Sequence, residues 1–239
     1  MMPTHTNHQR RDRNAILPAP SDYRSATWAF IAGAAGTTIA GVVIQTLVIP
    51  TTNVTDDRWS YPWEAGPFVV VSLFYVVLHL LVVAGVAVFG RIGVAGTSRP
   101  ARRGITFAIV GTLTLAAGEV AGLPIRNALI DDTSAQLVGA VFGLGVLLSA
   151  IGFLMVGIAT LRAGVWCDWR RYTSLATGIW TSTLVVLPLA IPQALPGGVA
   201  IYGACLLAMA LAVRRESRTL RNRPTDRSRE APASRVGFG

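Results

Sequence analysis

Six apolar segments, separated by short polar connections, dominate the pattern of hydrophobic and polar positions along the chain. Each segment is about 20 residues long, and a helix of that length, rising 1.5 Å per residue, crosses about 30 Å of hydrocarbon. Lipid cannot satisfy exposed backbone groups, so such segments must be helical. The pattern therefore predicts an all-α fold, a polytopic membrane protein with a bundle of six transmembrane helices. The predicted spans are residues 28–49, 68–89, 105–123, 137–161, 174–191 and 195–213.

The fifth segment departs from this pattern because it is short and carries proline. Pro188 and Pro192 each lack a backbone N–H, and they are expected to kink or end the helix. The fifth and sixth segments can therefore also be interpreted as one tight hairpin with residues 193–198 at its tip.

Arginine lies on alternate sides of the six segments. All but two of the 21 basic residues fall in the two tails and in the second and fourth connections, and every one of them is arginine. The other two, Arg58 and Arg126, fall in the first and third connections, together with five acidic residues. Cytoplasmic connections of membrane proteins are enriched in arginine and lysine. The alternation thus predicts an even number of spans with both termini in the cytoplasm.

The composition agrees with a membrane protein, and a polar tail flanks its apolar region at each end. Of 239 residues, 52% are hydrophobic and 14% are charged, whereas soluble domains carry about 25% charged residues. Residues 1–27 and the arginine-rich residues 214–239 are predicted to be disordered cytoplasmic tails around a transmembrane domain, residues 28–213. The absence of lysine, with abundant alanine, valine and glycine, indicates a genome rich in G and C. We therefore expect a bacterial plasma membrane.

Aromatic residues near the ends of the spans are predicted to anchor the bundle at the two membrane surfaces. Trp28, Trp166 and Trp169 fall on the inner side, whereas Trp59 and Trp63 fall on the outer side. We expect anchoring rather than stacking against a ligand.

Small residues recur at four-residue steps in three of the segments, and such residues let transmembrane helices approach closely. They are Ala29, Gly33, Thr37 and Gly41 in the first segment, Gly118 and Gly122 in the third, and two separate pairs in the fourth, Gly139 with Gly143 and Gly145 with Ser149. We predict that they pack within a compact bundle. A homodimer through one of these faces is the alternative.

Two ionisable residues, His79 and Glu119, fall inside predicted spans, where such groups are costly and suggest function by default. His79 shares a helical face with Ser72 and Tyr75. Counted at 1.5 Å per residue from the outer ends of the spans, Glu119 comes level with those two residues. We therefore predict a polar cavity that opens outward, with Glu119 titrating a proton or binding a cation. Its predicted lining is Gln45, Ser72, Tyr75, His79, Glu119 and Arg126.

A structural role is the alternative for the same residues. Glu119 would then bond to Arg126, to Tyr75 or to a neighbouring helix, and His79 to a backbone carbonyl or a hydroxyl. Such contacts would only hold the helices in register. Arg126 is most simply a partner for Glu119, Asp131 or Asp132, and capture of an anionic substrate is the less favoured alternative.

Residue patterns typical of enzymes are missing. A zinc protease needs ligands in a pattern such as HExxH, a haem carrier needs paired histidines, and nucleotide hydrolysis needs a P-loop. The single histidine in the predicted spans supplies none of these, and Cys167 and Cys205 form no CxxC motif. We predict a protein that is not an enzyme, with no catalytic residues, no cofactor and no metal site.

Three stretches carry a family resemblance. They are residues 56–63, 123–126 and 161–166, which read DDRWSYPW, LPIR and LRAGVW. The chain resembles small, uncharacterised six-span integral membrane proteins of actinobacterial type over most of its membrane region. The resemblance implies the six-span fold and carries no function.

These observations leave two functional hypotheses. The first is transport or sensing of a small solute or a proton through the outer polar cluster. The second is a structural or accessory membrane protein that binds lipid or a partner protein. The arginine-rich C-terminal tail is predicted to bind anionic lipid of the bilayer. Although the net charge is +9, the placement of that charge favours membrane orientation over nucleic-acid binding.

Overall fold

A computed structural model describes residues 20–221 and shows an all-α bundle, as predicted. The described residues form no β-strand and only one isolated bridge, between Arg58 and Leu129. The long helices are α1 (Pro20–Val43), α2 (Ala65–Ile92), α3 (Arg99–Gly122), α4 (Thr133–Ala163), α5 (Thr173–Ala190) and α6 (Leu195–Arg221). A π-helical turn, Ile44–Val48, and a short 3-10 turn, Ile49–Thr51, extend α1.

Within residues 20–221, five helical segments are long and apolar enough to cross a membrane, which indicates a multi-pass membrane protein. They are Tyr23–Thr51, Ala65–Ile92, Arg99–Gly122, Thr133–Ala163 and Pro192–Thr219. The remaining helix, α5, has 18 residues with Pro188 inside it, and it is not among these five.

Each helix packs against the next one along the chain, and α6 returns to pack against α1, so that the described helices form a closed ring. Large side chains fill the centre of this ring. Phe30, Phe89, Phe153, Leu206 and Met209 are all fully buried there. Many apolar side chains on the outer surface of the ring are exposed, as expected of a surface that faces lipid.

Glycine sets the distance between α3 and α4. A Cβ atom at Gly111 would overlap the backbone of Ser149, and a Cβ atom at Gly152 would overlap the backbone of Ala108. Only glycine at these positions lets the two helices approach this closely.

The predicted small-residue contacts form in part. A Cβ atom at Gly33 would lie 2.9 Å from the Leu81 side chain, which shows close packing between α1 and α2. The prediction of packing within the bundle is wrong for Gly139 and Gly143, where an added Cβ atom meets nothing within 4 Å. These two residues lie on a face of α4 that points away from the other helices.

The connections between helices lie at two ends of the bundle. At one end, which we call the acidic end, the connection of residues 52–64 contacts that of residues 123–132. At the other, which we call the arginine-rich end, residues 164–172 contact the last turns of α6. The Arg214 guanidinium lies 4.1 Å from the centroid of the Trp28 ring. The beginning of α1 and the end of α6 therefore meet at the arginine-rich end.

Both terminal helices extend beyond the predicted spans. Residues 20–27 and 214–221, predicted to belong to disordered tails, are helical. A helix that leaves the membrane keeps its own backbone hydrogen bonds, so hydrophobicity alone does not mark its end. The remaining tail residues, 1–19 and 222–239, lie outside the described residues. The prediction that they are disordered therefore stays a prediction.

Candidate functional site

Glu119 lies in α3, about one turn before the helix ends at the acidic end. Phe68 of α2 packs beside Gly122 of α3, where an added Cβ atom would lie 3.7 Å from its ring, and this contact aligns the two helices. The alignment brings two polar residues of α2 to Glu119. The Ser72 hydroxyl is a hydrogen-bonding neighbour of the carboxylate, and Tyr75 lies within electrostatic range of it. The rise of 1.5 Å per residue, counted along the sequence, predicts this same level for Glu119, Ser72 and Tyr75.

His79 continues this polar face toward the middle of α2. Its Nδ1 atom lies 2.7 Å from the backbone oxygen of Tyr75, and the two rings are 6.3 Å apart. Because a carbonyl oxygen can only accept a hydrogen bond, Nδ1 carries the proton and donates it. In the neutral imidazole, Nε2 is then the nitrogen with a free lone pair. A backbone carbonyl is also the partner that the structural alternative predicts for His79.

Two residues of the predicted cavity do not join this cluster, which is a correction to its predicted lining. The Gln45 side-chain oxygen accepts a hydrogen bond of 3.0 Å from the backbone N–H of Gly197, so it links the end of α1 to the beginning of α6. The Arg126 guanidinium donates a hydrogen bond of 3.1 Å to the backbone oxygen of Leu123 and thereby caps α3. Both side chains satisfy helix ends, where backbone groups lack partners within the helix.

Glu119 has no arginine partner within residues 20–221, because both ion pairs found there are formed by Arg170. The pairing of Glu119 with Arg126 is therefore not formed. The cluster that remains consists of Ser72, Tyr75, His79 and Glu119, and we call it the α2–α3 polar cluster. It combines one carboxyl group, two hydroxyl groups and one imidazole, all of which can bind or pass a proton.

Trp59 packs against the end of α3, close to this cluster. Its indole Nε1 atom lies 2.8 Å from the position that a Cβ atom would take at Gly122, and its ring packs 6.2 Å from that of Phe142. The backbone N–H of Trp59 donates a hydrogen bond of 3.0 Å to Ala128, which holds the first connection against the third. Trp59 therefore sits over the end of α3, one turn outside Glu119, rather than serving only as a membrane anchor.

A second polar cluster, at the arginine-rich end, was not predicted from the sequence. Trp166 is only 1% exposed, and its indole N–H donates a hydrogen bond of 3.1 Å to Glu216. The Arg170 guanidinium donates to the same carboxylate oxygen at 3.1 Å and lies 5.6 Å from the Trp166 ring centroid. The available signal was Glu216 itself, an acidic residue surrounded by arginines just after the last span. The prediction that Trp166 anchors the membrane surface is wrong, because its ring is buried in the bundle.

Asp168 extends this second cluster toward solvent. Its side chain accepts hydrogen bonds from Arg170, at 2.8 Å from Nε and 3.2 Å from the backbone nitrogen. The Arg170 guanidinium holds the pKa of Asp168 below its ordinary value, because it stabilises the ionised carboxylate.

Comparison with known proteins adds no assignment. No protein family, no curated protein and no solved structure matches the chain. The resemblance to six-span proteins of actinobacterial type therefore stays a prediction. Within the described part of the chain, histidine, cysteine and acidic residues form no group of three or more that could hold a metal ion.

Proposed function

We propose that the protein crosses a bacterial plasma membrane six times, with both termini in the cytoplasm, and that it moves or senses a proton or a small solute through the α2–α3 polar cluster. The observation that carries the proposal is Glu119, a carboxyl group in a membrane-length helix with hydroxyl neighbours in place of a cationic partner. Acidic residues inside spans commonly belong to ion pathways and proton relays.

The position of α5 supports the sixth crossing. Its beginning follows the Trp166 connection at the arginine-rich end, whereas its far end leads to the beginning of α6, where Gly197 bonds to Gln45. Along the way it packs against α4 at Gly178 and against α6 at Gly198. A helix of 18 residues is about 27 Å long at 1.5 Å per residue, close to the thickness of the hydrocarbon layer.

Threonine side chains on α5 bond within their own helix. The hydroxyl groups of Thr177 and Thr181 each donate to a backbone oxygen one turn earlier, at 2.9 and 2.6 Å. Both side chains are buried against neighbouring helices rather than exposed to lipid. A hydroxyl bonded within its own helix has little unmet polarity, so these threonines are compatible with a place in the membrane.

Arginine placement supports the orientation. The arginine-rich end carries both described chain ends and most of the arginines, whereas the acidic end carries Arg58 and Arg126 among several carboxylates. By the positive-inside rule, the arginine-rich end faces the cytoplasm and the α2–α3 polar cluster lies toward the outside.

His79 extends the α2–α3 polar cluster toward the middle of the membrane. Glu119 lies near the outer end of its helix, and Tyr75 and His79 continue the polar face inward along α2. The lone pair of His79 Nε2 can accept a proton arriving from the outer side, while Nδ1 stays bonded to the backbone. A chain of carboxyl, hydroxyl and imidazole groups is the chemistry of a proton relay.

Flux measurements test this function. The full chain is reconstituted into vesicles that enclose a pH-sensitive dye, and a membrane potential drives protons inward. We expect a flux above that of empty vesicles, reduced to the level of empty vesicles by Glu119→Gln and lowered by Tyr75→Phe. Parallel measurements with sodium and potassium ions distinguish a proton from another small cation.

Glu64→Gln provides the matched control, because Glu64 is an exposed glutamate at the same end of the protein. This variant should retain the full flux. Thermal unfolding in detergent confirms that each variant is folded. A flux that persists in folded Glu119→Gln would contradict the proposal.

The alternative, a structural or accessory membrane protein, is favoured by a separate observation. The side chains of Gln45, His79 and Arg126 all bond to backbone groups, as expected if they only hold helices in place. Such a protein would act through lipid or a partner protein, with anionic lipid bound by residues 214–239 or a homodimer formed through the small-residue face of α4. A stoichiometric partner that co-purifies, together with an absence of flux for every ion tested, would favour this function.

A further inference from the structure

A groove opens at the arginine-rich end, between the beginning of α3 and the end of α4. Its volume is about 640 Å³, large enough for part of a lipid molecule. Along α4 the groove is apolar at Met155 and Ile158, of which Ile158 is exposed, and it becomes polar at Arg162 near the end of the helix. The other side carries the hydroxyl groups of Thr97 and Ser98, which precede α3. The groove thus changes from apolar to polar as it approaches the end of the bundle.

Four arginines lie at or near the polar end of this groove. Arg162 lines it directly, and Arg99, Arg102 and Arg103 lie in the first turns of α3. All four are exposed, and none forms an ion pair within the described residues.

The neighbouring sequence supplies no negative charge either. Residues 65–118 and 133–167 contain no aspartate or glutamate. The positive charge at the groove is therefore not balanced by acidic residues nearby in the sequence. An anion with an apolar tail would match both this positive charge and the apolar part of the groove.

We propose that this groove binds one anionic phospholipid from the leaflet at the arginine-rich end. The acyl chain lies against Met155 and Ile158, and the phosphate group meets Arg162 and the hydroxyl of Ser98. A free phosphate ion would leave the apolar side of the groove unused, whereas a zwitterionic lipid would leave its arginines unbalanced. This site is separate from the α2–α3 polar cluster, and it differs from the lipid binding predicted for the C-terminal tail.

Native mass spectrometry of the full chain in detergent tests the site. The protein is titrated with phosphatidylglycerol, with phosphatidylcholine and, separately, with inorganic phosphate. We expect one tightly retained phosphatidylglycerol, weaker retention of phosphatidylcholine and no retention of phosphate. Removing one arginine near a lipid headgroup weakens binding about fivefold, so Arg162→Gln should lower the affinity for phosphatidylglycerol by about that factor.

Two pairs of variants distinguish the groove from general attraction to arginine. Ala163→Phe places a large side chain in the groove and should displace the lipid, whereas Ala140→Phe, an exposed position on the same helix outside the groove, should not. Arg162→Gln is compared with Arg218→Gln, an exposed arginine on α6. Equal retention of both lipids, equal loss in Arg218→Gln and Arg162→Gln, or retention of phosphate alone would overturn the proposal.

Discussion

The two ends of the bundle are closed in different ways. At the arginine-rich end, side chains distant in sequence make the contact: Trp166 is buried, and it shares the Glu216 carboxylate with Arg170. At the acidic end, two connections meet mainly through their backbones, with hydrogen bonds from Trp59 to Ala128 and from residue 130 to residue 57. One closure is a buried aromatic and ionic contact, and the other is a short backbone bridge.

This difference indicates which end can open. Buried aromatic packing with satisfied polar partners is stable, whereas exposed backbone hydrogen bonds in short connections belong to the parts of a protein that open locally at low free energy. The α2–α3 polar cluster lies beneath the second kind of closure, because Trp59 covers Gly122, one turn outside Glu119. We therefore expect movement of the connections at the acidic end to increase the access of solvent to Glu119.

The largest effect is expected from Trp166→Ala. Removing a buried tryptophan leaves a cavity, and such changes lower the free energy of unfolding by about 3–5 kcal/mol. The Glu216 carboxylate also loses a donor. Unfolding followed by circular dichroism in detergent should show this loss.

Two further variants sharpen this result. Trp166→Phe keeps most of the packing and removes only the indole N–H, so it should lower stability by about 1 kcal/mol. Trp169→Ala removes a tryptophan that is 43% exposed in the same connection, and its effect should be well below that of Trp166→Ala. Similar losses at both tryptophans would show that the arginine-rich end is not closed by burial.

A smaller effect on stability is expected from Trp59→Ala at the acidic end. Trp59 is half-buried and packs against Phe142, so its loss should lower the free energy of unfolding by about 1–2 kcal/mol. Its effect on access should be larger, because the cover over the end of α3 is removed. A water-soluble, membrane-impermeant carbodiimide that modifies carboxyl groups should label Glu119 faster in Trp59→Ala than in the unchanged protein.

Trp63→Ala is the control for this measurement, since Trp63 lies in the same connection and forms no ring contact with α4. Its labelling rate at Glu119 should stay unchanged. Equal acceleration in both variants would mean that Trp59 is not the cover.

Much of this architecture follows from hydrophobic length and helical rise. The apolar segments predict every long helix, including α5, because a packed apolar stretch of that length in lipid has no other backbone solution. The relative level of Ser72, Tyr75 and Glu119 follows equally well, since the rise of a helix is constant. These properties are local, and the sequence expresses them directly.

What the sequence does not express is the direction in which a side chain points. Gly139 and Gly143 have the same spacing as glycines that pack, and yet they face outward. Gln45 does not join the predicted cluster, because its side chain bonds to Gly197, 152 residues later in the chain. Trp166 resembles an interface anchor until Glu216, 50 residues later, supplies its partner. Each of these outcomes depends on which helix becomes the neighbour.

The smallest effect is expected from acid at the arginine-rich end. Because Arg170 lowers the pKa of Asp168 in the folded protein, the ionised carboxylate contributes stability above the ordinary aspartate pKa, and this contribution is lost as the pH falls through the lowered value. Solvent screening keeps the effect small, since Asp168 is exposed. The melting temperature of Asp168→Asn should lie slightly below that of the unchanged protein at neutral pH, and the difference should disappear in acid.

Asp56→Asn, which removes an exposed carboxylate at the acidic end, measures the effect of charge alone. A difference for Asp168→Asn that grows as the pH falls would show that Arg170 does not stabilise the carboxylate, and that the arginine-rich end depends on Trp166 and Glu216 without it.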